Sequence, residues 1–543
     1  MKIALLSSYT IDLIADVVRA ELARSGLDVE LYLAPFGQYQ QEVLDSGSGL
    51  SRFAPEYVAA LFDADVFLAD TDALLRWVET TSQRFPQAHI LVHLPIATAD
   101  TPLAFLEWNQ PESRDRVLAA ARIRLAELCG RLPNARLVDP DRVIRRHGTV
   151  TLFDPRLWYL AKIPFSSQGS RLLGEQLAKA VLAVSGRRMK CLVLDLDNTL
   201  WGGVLGEDGL DGIKLSNDGE GKAFYDLQRG ILKLHESGVV LAVCSKNDPG
   251  PAVEAIEKHP YMLLRQAHFA AMRINWSGKP ENIASIAGEL SLGLDSFVYL
   301  DDSPQERALV RQTLPAVAVP DLPADFSDYP RFLADLPYFE TFTVTPEDRA
   351  RGASYYQERR RSEAKAEIGS IDDYLRSLGT RIHVRRADSF TIPRIAQLTQ
   401  RTNQFNLTTR RYTEAEVRDL AADRNNLVLC MSAEDRFGET GIVGVAIVRR
   451  QAQTAVLDTF LVSCRVLGRQ IEEAFLTATL VIAKQAGHLE MIGEYVVSSK
   501  NAVAKGFLVR CGFAPKDTRY GFDLARLARE PKHVTVEYDA VID

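Results

Sequence analysis

Paired cysteines are missing from this sequence. Its six cysteines (Cys129, Cys191, Cys244, Cys430, Cys464 and Cys511) are widely scattered and form no CxxC pair. That spacing argues against a disulfide framework or a structural zinc site, and makes a reducing cytosol the expected compartment. A surplus of positive charge is missing too. The formal net charge of −7 argues against general affinity for nucleic acid or anionic membranes, while leaving room for a local basic phosphate site. No apolar run is long enough to span a bilayer, and the N-terminal MKIALLSSY enters a strand-like run without a signal-peptide pattern. Internal repeats and low-complexity tracts are also absent. The expectation is a soluble cytoplasmic protein.

What is present is ordinary globular composition, 46% hydrophobic and 25% charged, in 543 residues. One core cannot serve that length; about three domains of roughly 100–200 residues are expected. Residues 1–187 alternate strand-like runs (3–6, 29–33, 66–69, 89–92, 136–138) with helix-like segments such as 11–25 and 113–131, the pattern of a mainly parallel α/β layer fold. Residues 188–344 repeat it, with strands expected at 191–194, 239–243 and 297–300 and a helix over 222–237. A charged helical connector, 345–370, carries Arg359, Arg360 and Arg361, read as a solvated helix face balanced by Glu358 and Glu363. Strand-like runs at 381–385, 426–431, 441–449 and 455–462, then a long helix over 469–486, suggest an α+β domain in residues 371–543. The fold class is therefore multidomain α/β.

The most informative stretch is CLVLDLDNTLWGGVLGEDG, from Cys191. An unbroken apolar run delivers Asp195 and Asp197 to the C-terminal end of a buried parallel strand, where ligands of open α/β sheets bind. Two carboxylates one residue apart cannot sit cheaply in a core without a cation. Phosphoryl transfer suits them, with one carboxylate attacking phosphorus and the other moving the proton. Positive charge must compensate, and oxygen-only ligands suit Mg²⁺ rather than zinc. The order of motifs resembles the haloacid dehalogenase (HAD) phosphatases. That resemblance implies Asp195 as nucleophile, Asp197 as general acid, Thr199 completing DxDxT, and Ser245 and Lys279 at the phosphate. It implies Asp301 and Asp302, with Asp195 and Asp197, at the metal. No separate cap fits between Ser245 and Lys279, so the site is expected to be open and to take a substrate presented by protein or enclosed by flanking domains. The competing reading is a degenerate, binding-only domain.

In FLVSCRVLGRQIEEAF, Cys464 stands between a strand and a helix start, with Arg465 and Arg469 nearby. A helix N-terminus and two arginines would favour the thiolate and make Cys464 a nucleophile; a small buried hydrophobe is the other reading of the same residue. Cys129, Cys430 and Cys511 read as core. The region resembles the GNAT acyltransferases: RVLGRQ stands where that family binds coenzyme A pyrophosphate, and Asn501-Ala502 with Gly512-Phe513 resemble its later motif. This implies Arg465, Gly468, Arg469 and Asn501 at an acyl or pantetheine groove. Gln470 departs from the small residue expected there, which speaks for a carrier-bound phosphopantetheine arm rather than acetyl-CoA.

Taken in order, LDLDNTLWGGVLGEDG, CSKND, YLDDSPQER, TNQFNLTTRRY and SCRVLGR resemble the FkbH-like family of polyketide pathways over essentially the whole chain. The resemblance implies capture of the glyceryl group of D-1,3-bisphosphoglycerate on a cysteine, removal of the 3-phosphate at the HAD site, and loading of glyceryl onto an acyl carrier protein. Arg401, Asn403, Gln404, Asn406 and Arg410 would orient the acyl group or phosphate, or else form a polar helix–loop surface. IPFSSQGSRLLGEQLAKAVL resembles the closing loop and helix of SGNH hydrolases, but Ile163-Pro164 replace the catalytic histidine and Ser7-Ser8 stand without a GDS. The first domain is therefore expected to be a scaffold. A HAD phosphatase fused to a coenzyme A-dependent N-acyltransferase, and a non-catalytic assembly module, are the alternatives.

Overall fold

The structure, a computed structural model, describes residues 1–97, 102–103, 105–402, 404–463, 466–498, 501–526 and 532–539, with the backbone alone at 346–347, 350, 366–367 and 401. The chain divides into two compact units, Met1–Gly352 and Ala353–Asp543.

The first unit holds two all-parallel sheets. In the first, β1 (Lys2–Ser7), β2 (Glu30–Leu33), β3 (Tyr57–Leu61), β4 (His89–His93) and β5 (Ala135–Val138) are ordered β2-β1-β3-β4-β5. Helices cover both faces, among them Asp12–Arg24 and Ser167–Val184, which pack on the side of Ile3, Leu5 and Leu61. Residues 66–69, expected as a strand, are helical (Ala64–Ala69), and the strand is the fully buried YVAAL before them. Asp63 is the reason: its carboxylate accepts from the Asp65 and Val66 amides and starts a helix there.

The second sheet comprises β6 (Cys191–Leu194), β7 (Val240–Ser245), β8 (Phe269–Ile274) and β9 (Phe297–Leu300), ordered β8-β7-β6-β9. Apolar runs buried on both faces make β6 the central strand, paired in register with β7 and β9. Residues 246–278 form one crossover, a helix (Pro249–Lys258) and β8, with nothing left over for a cap. The stretch after β6 folds back on itself through a Gly202–Lys214 bridge and the short helix Leu205–Gly212, broken at Gly209 where φ is 70°.

In the second unit, strands β10 (Thr380–Arg386), β11 (Asn426–Asp435), β12 (Gly438–Gln451), β13 (Thr454–Val462), β14 (Glu490–Gly493), β15 (Ala514–Lys516), β16 (Arg519–Asp523) and β17 (Val534–Tyr538) form one mixed sheet, ordered β15-β16-β14-β13-β12-β11-β10-β17. The pairs β13/β14 and β10/β17 are parallel and the others antiparallel. Helix Ile471–Gln485 supplies Ile471, Ala474, Phe475 and Ala478 to the core against Phe460 and Met431. The connector helix, Pro346–Glu367, corrects one expectation. Arg361 is not solvated: its side chain is 3% exposed and grips Asp435 with two nitrogens, at 2.7 and 2.8 Å. A buried aspartate at the end of β11 requires that partner.

Candidate active site

Asp195, Ser245, Asp301 and Asp302 stand where apolar strands of the second sheet end. Asp195 follows β6, its amide donating to the Leu300 carbonyl of β9 (3.0 Å). Asp301 and Asp302 follow β9, and Ser245 ends β7. Lys279 opens the helix Lys279–Leu290 and is 1% exposed. Its ammonium pairs with Asp195 (2.8 Å) and Asp301 (3.0 Å) and donates to the Cys244 carbonyl (2.9 Å). Asp301 is held further by the Tyr299 hydroxyl on one oxygen and the Ser303 amide (2.8 Å) on the other.

Asp195, Asp301 and Asp302 each offer an oxygen within 4.8 Å of the others, and among the described residues they are the one group so placed. Three carboxylates face the Lys279 ammonium, and Arg307, itself paired with Asp321 (3.4 Å), acts on Asp302, so the negative charge of the group is only partly compensated. Burial pushes the Asp195 carboxyl up to about 7; Lys279 opposes the shift, Asp301 adds to it, and a hydrogen bond from Ser245 lowers it. Asp302 is raised as well, by burial and then by Asp301. Burial disfavours the Lys279 ammonium, but Asp195 and Asp301 outweigh that and hold its pKa above the usual lysine value. This donor set fits a hard divalent cation.

The Asp197 carboxylate lies outside that group. One oxygen accepts from the Trp201 indole (2.9 Å) and the Leu205 amide (3.1 Å), the other from the Asn247 side-chain amide (2.9 Å). Three donors fix its orientation. Thr199 is fully buried, and its hydroxyl has no hydrogen-bond partner among the described residues.

Comparison with protein-family models and with curated proteins gives no match. Among solved structures, the N-terminal part of the protein BF1531 from Bacteroides fragilis, containing a phosphatase domain complexed with Mg, is 30% identical. The match covers 63% of this chain and 94% of that one, with a TM-score of 0.60. The chain belongs to the family of that phosphatase-domain protein. The ribosomal-protein-S18-alanine N-acetyltransferase from Escherichia coli also matches (13% identity, 28% of this chain, 97% of that one, TM-score 0.22). So does yncA, a putative acetyltransferase from Salmonella typhimurium with acetyl-CoA (16% identity, 28% and 98%, TM-score 0.21).

Beyond the Asp195 group, the other expected site residues fare differently. Cys464, Arg465 and Asn403 lie outside the described residues, and Arg401 is described by its backbone alone, ending the helix Ile392–Arg401. Gly468 adopts φ 77° and its amide donates to Glu472 (3.2 Å). Arg469, expected at an acyl or pantetheine groove, is buried and paired with Glu358 (2.7 Å) and Asp435 (3.3 Å), so its guanidinium is occupied within the unit. Asn501 is fully buried: it donates to the Asn406 and Val496 carbonyls (both 2.9 Å) and accepts from the Ser498 amide (2.8 Å). Asn406 in turn accepts from the Thr408 and Thr409 amides. The structure thus brings Asn406 and Asn501 together as a loop clasp. Arg410 pairs with the buried Asp458 and with Glu494 (3.5 Å), and Gln404 is exposed. The other five cysteines carry raised thiol pKa values because they are buried. In the first sheet, the Ser8 hydroxyl donates to Asp63 (2.6 Å), a carboxylate already engaged in capping a helix.

Three site residues escaped the sequence reading: Trp201, Asn247 and Tyr299. Trp201 and Asn247 sit inside LDLDNTLWGG and CSKND, and Tyr299 inside YLDD, so the signal was their place in those motifs.

Proposed function

We propose that the chain is a Mg²⁺-dependent phosphatase joined to an acyl-transfer unit, acting as a glyceryl transferase/phosphatase of the FkbH-like kind. The observation that carries the phosphatase half is the group of the half-buried Asp195 and Asp302 with the buried Asp301, two of them paired with the buried ammonium of Lys279. Those three carboxylates would hold Mg²⁺, which supplies positive charge to a phosphate that a carboxylate could not otherwise approach. Asp195 attacks phosphorus, and the leaving oxygen takes its proton from Asp197, held by Trp201 and Asn247. Asp197 then takes a proton from the water that frees inorganic phosphate from Asp195. Lys279 neutralises the nucleophile and the transferring group.

The substrate reading rests on motif order along the chain. The C1 acyl phosphate of D-1,3-bisphosphoglycerate is activated. A Cys464 thiolate attacks that carbonyl, forming a thioester and releasing inorganic phosphate. The HAD site hydrolyses the C3 monoester, and the phosphopantetheine thiol of an acyl carrier protein takes the glyceryl by thioester exchange, returning Cys464 as thiolate. The last domain is read as GNAT-like and the first as an SGNH-like scaffold. Pairing of Arg469 with Glu358 and Asp435 occupies a cation that either a phosphopantetheine or a coenzyme A phosphate would use, so the preference for a carrier over acyl-CoA rests on Gln470. The test is intact-mass analysis of a carrier protein after incubation with enzyme, bisphosphoglycerate and Mg²⁺. Gain of a glyceryl mass supports the reading, as does its absence with Cys464→Ala. Normal loading by Cys464→Ala, or loading that follows acetyl-CoA instead, contradicts it.

A further inference from the structure

A cavity of about 650 Å³ lies within the first unit, between the first sheet's helices and the edge of the phosphatase domain, and none of its lining residues belongs to the Asp195 site. That volume suits a small organic ligand, which pockets of roughly 300–1,000 Å³ typically enclose. Helices Asp141–His147 and Ser167–Val184 form one wall, and helix Tyr329–Asp335 with the following chain forms the other. Leu137, Val143, Ala183, Leu336 and Phe339 make much of the surface apolar.

Charge on the lining is unbalanced in a specific way. Each lining acid already has an arginine: Asp139 has Arg145 (3.5 Å), Glu175 has Arg171 (2.5 Å), Asp335 has Arg146, and Glu340 has Arg142 (3.5 Å). Arg331 and Lys179 also line the cavity, and neither has a carboxylate partner among the described residues. Burial, together with the nearby Arg142 and Arg331, holds Arg146 below the usual arginine range, a sign that guanidinium groups crowd here. Gln176 donates its amide to the Asp139 carbonyl (2.6 Å), while its side-chain oxygen is buried without a donor. Such an oxygen loses free energy until a ligand or water donates to it.

We propose that this cavity binds an amphipathic organic anion, an aliphatic body carrying a carboxylate or phosphate head drawn by Arg331 and Lys179. The head gains two cations that have no other partner, and the body covers the Leu137–Phe339 surface. A neutral molecule of the same shape would leave those cations unserved.

Isothermal titration of the full chain with decanoate, decyl phosphate and 1-decanol tests this. At least one of the two anions should bind saturably at one site, and comparison of the two identifies the head group. 1-Decanol should bind at least ten-fold more weakly. Arg331→Glu with Lys179→Glu, both surface-reaching changes, should weaken the anion at least ten-fold without moving the melting temperature. Ala183→Trp, which fills the cavity while leaving both cations in place, should abolish binding. Failure of both anions to bind, equal binding of decanol, or binding that survives the two sets of variants overturns the proposal.

Discussion

Buried charge is arranged differently in the phosphatase domain and in the second unit. Around Asp195, three carboxylates meet one ammonium, and burial lifts the Asp195 carboxyl toward neutrality. In the second unit the sums close locally. Asp458 is served by Arg410, Arg449 and the Tyr412 hydroxyl, and Asp435 by Arg361 and Arg469. Compensated charge of the second kind holds elements together and has nothing left for a ligand. Partly compensated charge of the first kind calls for a bound cation or a proton to complete it. The contrast separates site from scaffold without reference to motif.

The largest expected effect attacks the phosphatase side of that contrast. Asp195→Asn should lower Mg²⁺-dependent phosphate release by at least about 10³-fold, as loss of a covalent nucleophile does, while thermal unfolding shows the fold intact. Retained turnover would make the Asp195 group another scaffold. On the other side, Asp458→Ala removes the buried acid shared by Arg449 and Arg410, which are close to half exposed and can turn to solvent; it should cost about 1–3 kcal/mol in urea unfolding, with phosphate release unchanged in the folded fraction. A change below about 1 kcal/mol would mean that compensation there contributes little.

His93 sharpens the comparison, being a buried base at the end of β4 with no hydrogen-bond partner on either ring nitrogen among the described residues. Burial lowers its pKa from 6.5 to about 4. The unfolded chain therefore binds the proton first: the folded state has its full stability above pH 6.5 and loses it as pH falls toward 4. His93→Leu should remove that loss, on the order of 2 kcal/mol near pH 5, seen as a flatter profile of unfolding free energy against pH. An unchanged slope would contradict the burial argument. The smallest effect expected is Asn247→Ala, which frees one oxygen of Asp197 and should reduce kcat about ten-fold with KM nearly constant, the size of one lost orienting hydrogen bond. A change in KM alone would move Asn247 from positioning to substrate binding.

Much of the phosphatase domain was legible because its polar residues follow apolar runs directly, as Asp195 follows Cys191–Leu194 and Asp301 follows Phe297–Leu300. β8 was not anticipated, since FAAMRI has alanines where β-branched residues usually mark a strand. Asp63 hid the helix at Ala64–Ala69, because a cap is a single residue against a run of apolar ones. Arg361 was misread, and the contacts of Arg469 and Asn501 were not foreseen, for a different reason. Their partners Asp435, Glu358 and Asn406 lie 34–111 residues away, and no local pattern announces such pairings. Asp197 shows the same limit: its residue type was informative, but Asn247, fifty positions on, sets its orientation.

The central claim is that Asp195 is phosphorylated in turnover and Asp197 is needed to clear it. Intact-mass analysis of Asp197→Asn after incubation with Mg²⁺ and acetyl phosphate, whose leaving group needs no acid, tests this directly. A phosphoryl adduct mapping to Asp195 and absent from Asp195→Asn with Asp197→Asn is the expected result. No adduct, or one that survives loss of Asp195, would contradict the account.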